Sequence, residues 1–340
     1  MRISLFAYSR RGMETAVKFL YPASQNDAEI ICFAPERLAG TPFEPIPMPS
    51  VDFYGEQFER SDALIFVGAA GIAVRAIAPH VRSKLTDPAV LCIDEQGKYV
   101  IPLLSGHIGG ANQLAKEIAD TLSAKAVITT ATDINGRFSV DSWAVRNGFI
   151  INNMTLAKEI SAAILERDIP LSSSLPISTD LPAGLICGEN GALGIFIGWE
   201  KRAPFTSTLR LIPPILHLGL GCRRGTSAQT IREAVDRTLG QYNIDPKAVR
   251  SAASIDLKAD EPGLQEYLQS RGLSAEFYSA EKLMTVPGEF SHSDFVQHIT
   301  GVDNVCERAA MIGAKQLIVP KTVFSGVTVA LAAEEKEVRF

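Results

Sequence analysis

The run from Leu103 to Asn112 reads Leu-Leu-Ser-Gly-His-Ile-Gly-Gly-Ala-Asn. An apolar strand enters Ser105-Gly106-His107, and Gly109-Gly110 opens a helix. Glycines there admit a ligand close to the backbone, and the first N–H groups of a helix hold a carboxylate or an oxyanion. An imidazole titrates near neutrality, so His107 suits a general base acting on water. The bland alternative is a tight turn capped by Ser105. A histidine beside two glycines and Asn112 favours a site.

A second polar run, Ile128-Thr129-Thr130-Ala131-Thr132-Asp133, follows a short apolar segment and leads to Phe138-Ser139-Val140-Asp141. Ligands of open α/β sheets sit beyond the carboxyl ends of strands. Thr130 and its neighbours suit an alcohol or a water there, and Asp133 suits orienting His107 or taking an alcohol proton. A polar helix cap built on Asp133 or Asp141 competes evenly. Arg75, Arg82 and Lys84 follow the turn Gly68-Ala69-Ala70-Gly71. Guanidinium forks bind carboxylates bidentately, which favours anion binding over a solvated face.

In the last third, His217-Leu-Gly-Leu-Gly-Cys-Arg-Arg-Gly-Thr-Ser227 reads as a strand, a glycine turn and a helix start. Its GxGxxxG spacing is one residue too long for a dinucleotide fingerprint. Arg223 and Arg224 in the turn fit a polyanion better. Lys258 and Glu261 in Ser254–Glu261, the segment Gly301–Ala310, and Lys321 put charges at element ends. Singly, each is more often structural.

These residues need elements to position them. Short apolar runs alternate with amphipathic segments, the pattern of βα units. Strands are expected at Arg2–Tyr8, Glu29–Phe33, Ala63–Gly68 and Ala126–Thr130. Val90–Asp94 and Lys98–Leu103 read as a hairpin around Glu95-Gln96-Gly97. Leu114, Ile118 and Leu122 mark a helix over 109–122. A second series begins at Ile215–Gly221 and ends with Val327–Ala332. The fold class is therefore α/β: two α/β domains with largely parallel sheets, joined by a small middle module. Boundaries fall at 1–145, 146–212 and 213–340.

Bulk properties narrow the role. The chain has 340 residues, 46% hydrophobic and 21% charged, with net charge −5. Disorder and coiled coil are set aside, and the global field repels nucleic acid and anionic lipid. Neither a nucleic acid nor a membrane is an expected partner. Five cysteines form no Cys-x-x-Cys pair and sit in apolar surroundings. They read as buried reduced thiols of a cytoplasmic protein, with no signal peptide and no metal site. GxSxG, HExxH and GxxxxGK[ST] are absent from the sequence.

Taken together, the stretch from Gly68 through Ser-Gly-His-Ile-Gly-Gly-Ala-Asn to Thr-Thr-Ala-Thr-Asp resembles the amino-terminal domain of CbiG, the cobalt-precorrin-5A hydrolase family of cobalamin biosynthesis. The segments HLGLGCRRGTS, SIDLKADEPGL, GVDNVCERAAM and VTVAL resemble its carboxyl-terminal domain, which also occurs alone as CobE. The resemblance covers both ends of the chain and leaves a variable middle. It implies opening of the ring A δ-lactone of a cobalt-corrin intermediate by water, with a two-carbon fragment released as acetaldehyde. No protein cofactor is implied, since the cobalt is carried by the substrate. The substrate's carboxylates would meet Arg75, Lys84, Arg223, Arg224, Lys258 and Lys321, with Ser105, Gly109, Gly110, Asn112, Thr130 and Glu261 completing the contacts. His107 and Asp133 are the expected catalytic pair. A homodimer and transient contact with other pathway enzymes are the expected associations. A non-catalytic corrinoid carrier is the alternative, and a nucleotide-dependent oxidoreductase a weaker third.

Overall fold

Strand order in the first part of the chain follows from which apolar runs must be buried on both faces. A computed structural model describes residues 1–24, 28–83, 86–107 and 109–340, in compact units spanning 1–142 and 143–340. In the first unit, β1 (Arg2–Ala7), β2 (Glu29–Ala34), β3 (Phe43–Pro45), β4 (Ala63–Val67), β5 (Ala89–Ile93), β6 (Tyr99–Leu104) and β7 (Lys125–Ala126) form one sheet. Its order is β3-β2-β1-β4-β5-β6-β7. β4 and β5 are buried along their whole length, as the continuous apolar runs require. Helices α1 (Arg10–Ser24), α2 (Ser50–Arg60), α3 (Ala70–Ile77) and α4 (Ala111–Leu122) flank the sheet. The period-2 alternation sends Leu5, Ile65 and Leu91 to the face under α1 and α4. Phe6, Phe66 and Val90 face α2 and α3, where Phe6 stacks on Phe66 with centroids 4.8 Å apart.

Among the described residues of this sheet, only β5 and β6 pair antiparallel, as the expected hairpin. Asp94 closes it by accepting hydrogen bonds from the backbone of Gln96, Lys98 and Tyr99. The inversion places the end of β6 beside the start of β5, with Leu104 opposite Val90. The strand expected over 126–130 is cut short: β7 pairs only Lys125 and Ala126 with β6. Val127 N–H still reaches the Val100 carbonyl. Two residues on, Pro102 has no N–H to offer toward β7, so the ladder stops. Two short helices, α5 (Ala131–Ile134) and α6 (Val140–Arg146), follow.

The second unit holds two five-stranded sheets. The middle segment, read only as a module or linker, builds β8 (Ile150–Ile151), α7 (Met154–Ala163), β9 (Ile169–Ser173), β10 (Leu185–Cys187), β11 (Leu193–Ile197) and β12 (Ser207–Ile212), ordered β10-β9-β11-β12-β8. The last sheet holds β13 (Leu216–Cys222), β14 (Val249–Ile255), β15 (Ser274–Tyr278), β16 (Gln316–Phe324) and β17 (Val327–Ala333), ordered β15-β14-β13-β17-β16. α8 (Ala228–Gln241), α9 (Pro262–Arg271), α10 (Ala280–Met284), α11 (Asp294–Thr300) and α12 (Val305–Met311) accompany it. A Cβ on Gly219 would lie 1.8 Å from the Cys306 carbonyl oxygen, so glycine lets α12 lie directly on β13. Asn304 caps α12, and buried Arg308 grips Asp303 with two nitrogens above the Phe290 ring. The charges of Gly301–Ala310 therefore serve packing.

Cys32, Cys92 and Cys306 are buried thiols, but Cys187 is exposed and Cys222 half-buried. Cys187 ends an edge strand. Among the described residues, no helix is long and apolar enough to cross a membrane.

Candidate functional site

The turn after β6 is built so tightly that its glycines are compulsory. Ser105 takes a left-handed φ of 56°, rare for a residue with a side chain, and its hydroxyl donates to the Asp87 carbonyl at 2.9 Å. A Cβ on Gly109 would lie 2.4 Å from Ser105 Cβ, and one on Gly106 2.7 Å from Asn112 Oδ1. Gly110 begins α4 with φ 80°. Its N–H is bonded to the His107 carbonyl, and those of Ala111 and Asn112 to Ser105 and Gly106. These three amides therefore hold the turn. The oxyanion role expected of Gly110 is not what its N–H does here.

The side chain held at the tip is His107, about one-fifth exposed, with Nδ1 3.7 Å from Asp141 Oδ1. Asp141 is buried near the start of α6, and that oxygen accepts hydrogen bonds from Ser139 Oγ and Ser142 N–H at 3.0 and 2.9 Å. At 3.7 Å the contact with His107 is electrostatic, not a hydrogen bond. An imidazole with a fixed carboxylate beside it can serve general acid–base chemistry. Asp133, expected in this position, belongs to α5, and its side chain lies outside the described residues. The sequence signal for Asp141 was the Ser-x-Asp pattern of 139–141, legible only as a possible helix cap. Asn112 is buried and donates to Thr130 Oγ1 at 2.6 Å, tying the turn to the segment after β7. Both residues thus brace the site from inside.

Of the cations that follow the Gly68–Gly71 turn, Arg75 and Arg82 take separate partners. Arg75 reaches back to the Gly71 carbonyl, at the end of the sheet where β4 finishes. His107 lies at the opposite end, where β5 begins. One ligand carboxylate cannot bridge them, because a strand of this length spans roughly 16 Å. Arg82 is an exposed partner of Glu59 at 2.8 Å, a surface pair worth at most about 1 kcal/mol. Lys84 lies outside the described residues.

In the second unit Arg224, Lys258 and Glu261, read singly from the sequence, come together. Arg223 and Arg224 are exposed on the turn ending β13, and Arg223 covers Gly326 at the start of β17. Glu261, before α9, accepts from Gly225 N–H and from Lys258 Nζ, the latter at 3.1 Å. The Gly225 hydrogen bond, then Lys258 and Arg224, hold its carboxyl below the usual glutamate range. Lys321 stands apart on β16, where its backbone N–H donates to buried Glu307 at 2.6 Å. The glycines of β13 serve packing: Gly219 admits α12, and a Cβ on Gly221 would meet Thr328 Oγ1 at 2.5 Å. That use leaves the dinucleotide reading without support.

A family model described as Cobalamin synthesis G N-terminal matches residues 52–133, and one described as Cobalamin synthesis G C-terminus matches 216–332. The His107 turn falls in the first stretch and the Arg223–Glu261 cluster in the second. Fold and motifs together define a two-part protein of cobalamin synthesis. A cobalt-precorrin-5A hydrolase of Priestia megaterium is 33% identical over 297 residues, spanning 81% of this chain and 79% of its own. One of Salmonella typhimurium is 32% identical over 318 residues, spanning 89% and 90%. Protein CobE of a Sinorhizobium species is 36% identical over 121 residues, 34% of this chain and 79% of its own. The chain belongs to the cobalt-precorrin-5A hydrolase family.

Proposed function

We propose that the chain hydrolyses cobalt-precorrin-5A, opening its ring A δ-lactone with water and releasing acetaldehyde to leave cobalt-precorrin-5B. The observation that carries this reading is the extent of the likeness to hydrolases of that name, over four-fifths or more of the chain. His107, about one-fifth exposed and backed by the Asp141 carboxylate, is the proposed base for water. Arg223 and Arg224 are proposed to receive carboxylates of the macrocycle, with Lys258 and Glu261 shaping their turn. The reaction needs no organic cofactor in this proposal, because the cobalt arrives with the substrate and its electron-poor ring accepts the electrons released in fragmentation. A cytoplasmic location and a homodimer belong to the same proposal.

The test is anaerobic incubation with cobalt-precorrin-5A, with acetaldehyde trapped and quantified. Wild-type protein should release it, and His107→Ala should release it about 10²–10⁴-fold more slowly while still binding the corrinoid. Wild-type binding without acetaldehyde would establish the carrier instead. Full turnover by His107→Ala would move the base elsewhere.

A further inference from the structure

Four side chains of the second unit, outside the site described above, form one hydrogen-bonded row. His217 stands near the start of β13, Ser251 early in β14, and Glu334 directly after β17. His217 registers with Ser251 on one side and with Ala332 on the other. Ser251 Oγ lies 3.0 Å from His217 Nδ1, and His217 Nε2 lies 2.9 Å from Glu334 Oε1. Arg250 places one nitrogen 2.9 Å from both oxygens of Glu334. The ladder is irregular at this point: Leu216 pairs with Val249 but His217 with Ser251, which leaves Arg250 as the extra residue. Bulges re-aim side chains, and this one brings Arg250 and Ser251 to the same row.

The proton positions follow from the partners. Glu334 sits between a guanidinium and an imidazole, so its oxygens accept from both. Nε2 of His217 must then carry the hydrogen. In the neutral ring that leaves Nδ1 as an acceptor, and the Ser251 hydroxyl donates to it. The result is a hydroxyl on a base whose far side is held by a carboxylate, which is itself held by an arginine. The side chains of His217 and Glu334 are 17% and 27% exposed, shielded yet reachable.

We propose that this row is a second hydrolytic centre, acting on carboxylic esters, with Ser251 as nucleophile and His217 as its base. Glu334, braced by Arg250, is the positioning residue. Ser251 Oγ attacks the ester carbonyl while its proton passes to His217 Nδ1. The imidazolium returns that proton to the departing alkoxide as the carbon–oxygen bond breaks. A water then gives a proton to the same nitrogen and attacks the acyl-serine, and the serine oxygen leaves and recovers the proton. Residues 217, 250–251 and 334 are far apart in sequence, so no linear motif announces the row. The proposal does not rest on the role of His107, which lies in the other unit.

Treating the full-length protein with an alkyl fluorophosphonate, followed by peptide mapping, tests it. The expected result is one adduct, on Ser251. Ser251→Ala should lose it, and His217→Gln should form it about 10²-fold or more slowly. Glu334→Gln should slow labelling, with Glu334→Asp restoring part of the rate, at an unchanged urea midpoint. Hydrolysis of p-nitrophenyl acetate should fall in parallel in the same variants. A folded wild-type protein that is unlabelled at Ser251, or a labelling rate indifferent to His217→Gln, overturns the proposal. Should His217→Gln fail to fold, the wild-type map alone decides between these outcomes.

Discussion

Alanine at Gly109 should separate the geometry of the His107 turn from its stability. The new Cβ would lie 2.4 Å from Ser105 Cβ and 3.0 Å from the Ser105 carbonyl oxygen. Carbon atoms sit comfortably at about 3.5–4.0 Å, so the turn must open by about 1 Å or more. Ser105 yields poorly. It is already left-handed, at a cost of about 1–3 kcal/mol, and is pinned through its hydroxyl to Asp87 and its carbonyl to Ala111. The displacement therefore falls on His107, between the two. Overpacking of this kind costs about 1–3 kcal/mol, and a 1 Å misplacement of a reacting group costs about 10²-fold in rate. Gly110→Ala is the matched control. Nothing lies within 4 Å of its added Cβ, yet its φ of 80° makes alanine unfavourable by about 1–2 kcal/mol. Urea unfolding should report similar losses for both variants, whereas acetaldehyde release should drop about 10²-fold only in Gly109→Ala. Wild-type turnover by a folded Gly109→Ala protein would refute the reasoning. So would losses of activity that merely track stability in both variants.

Arg223→Ala combined with Arg224→Ala should weaken corrinoid binding by about 1.5–3 kcal/mol for each charge-assisted hydrogen bond removed. Anaerobic absorbance titration at two salt concentrations checks this; unchanged, salt-insensitive affinity would exclude the turn from the site. Glu261→Gln addresses pH dependence. The folded-state carboxyl is held below its ordinary value by Gly225, Lys258 and Arg224, so its contribution to stability is complete above the unfolded value of about 4.3. It fades as pH falls through the lower folded value. The stability gap between wild type and Glu261→Gln should accordingly be full at pH 7 and close under acid. A gap that does not change with pH would mean that the ionised carboxylate is not what clamps the turn.

Much of the fold is legible from local pattern. The all-apolar run Ala63–Val67 had to be a strand covered on both faces, and Glu95-Gln96-Gly97 between two apolar runs had to be a hairpin. The spacing of Leu114, Ile118 and Leu122 places α4, and Gly109-Gly110 marks its start. Long contiguous motifs suffice for the family as well. Less was readable where elements are short: β8 to β12 carry runs of two to six residues, too brief to distinguish a sheet from a linker.

What the sequence could not decide is which residues share an end of a sheet. Periodicity reports the face a residue turns, a local property, whereas strand order and direction are settled by burying apolar surface between distant segments. The antiparallel turn of β6 carries His107 to the start of β5 and leaves Arg75 at the far end, although the two stand 32 positions apart in one family domain. The same folding brings Asp141 to His107 from 34 positions away, where Asp133 had looked nearer. A missing N–H at Pro102 ends β7, and a single bulge at Arg250 brings Ser251 beside His217, which Glu334 meets from just beyond β17. Sequence by itself determined the residue types, the local elements and the family. The tertiary structure decided the partnerships, because hydrogen-bond ladders and core packing set distances that no spacing along the chain contains.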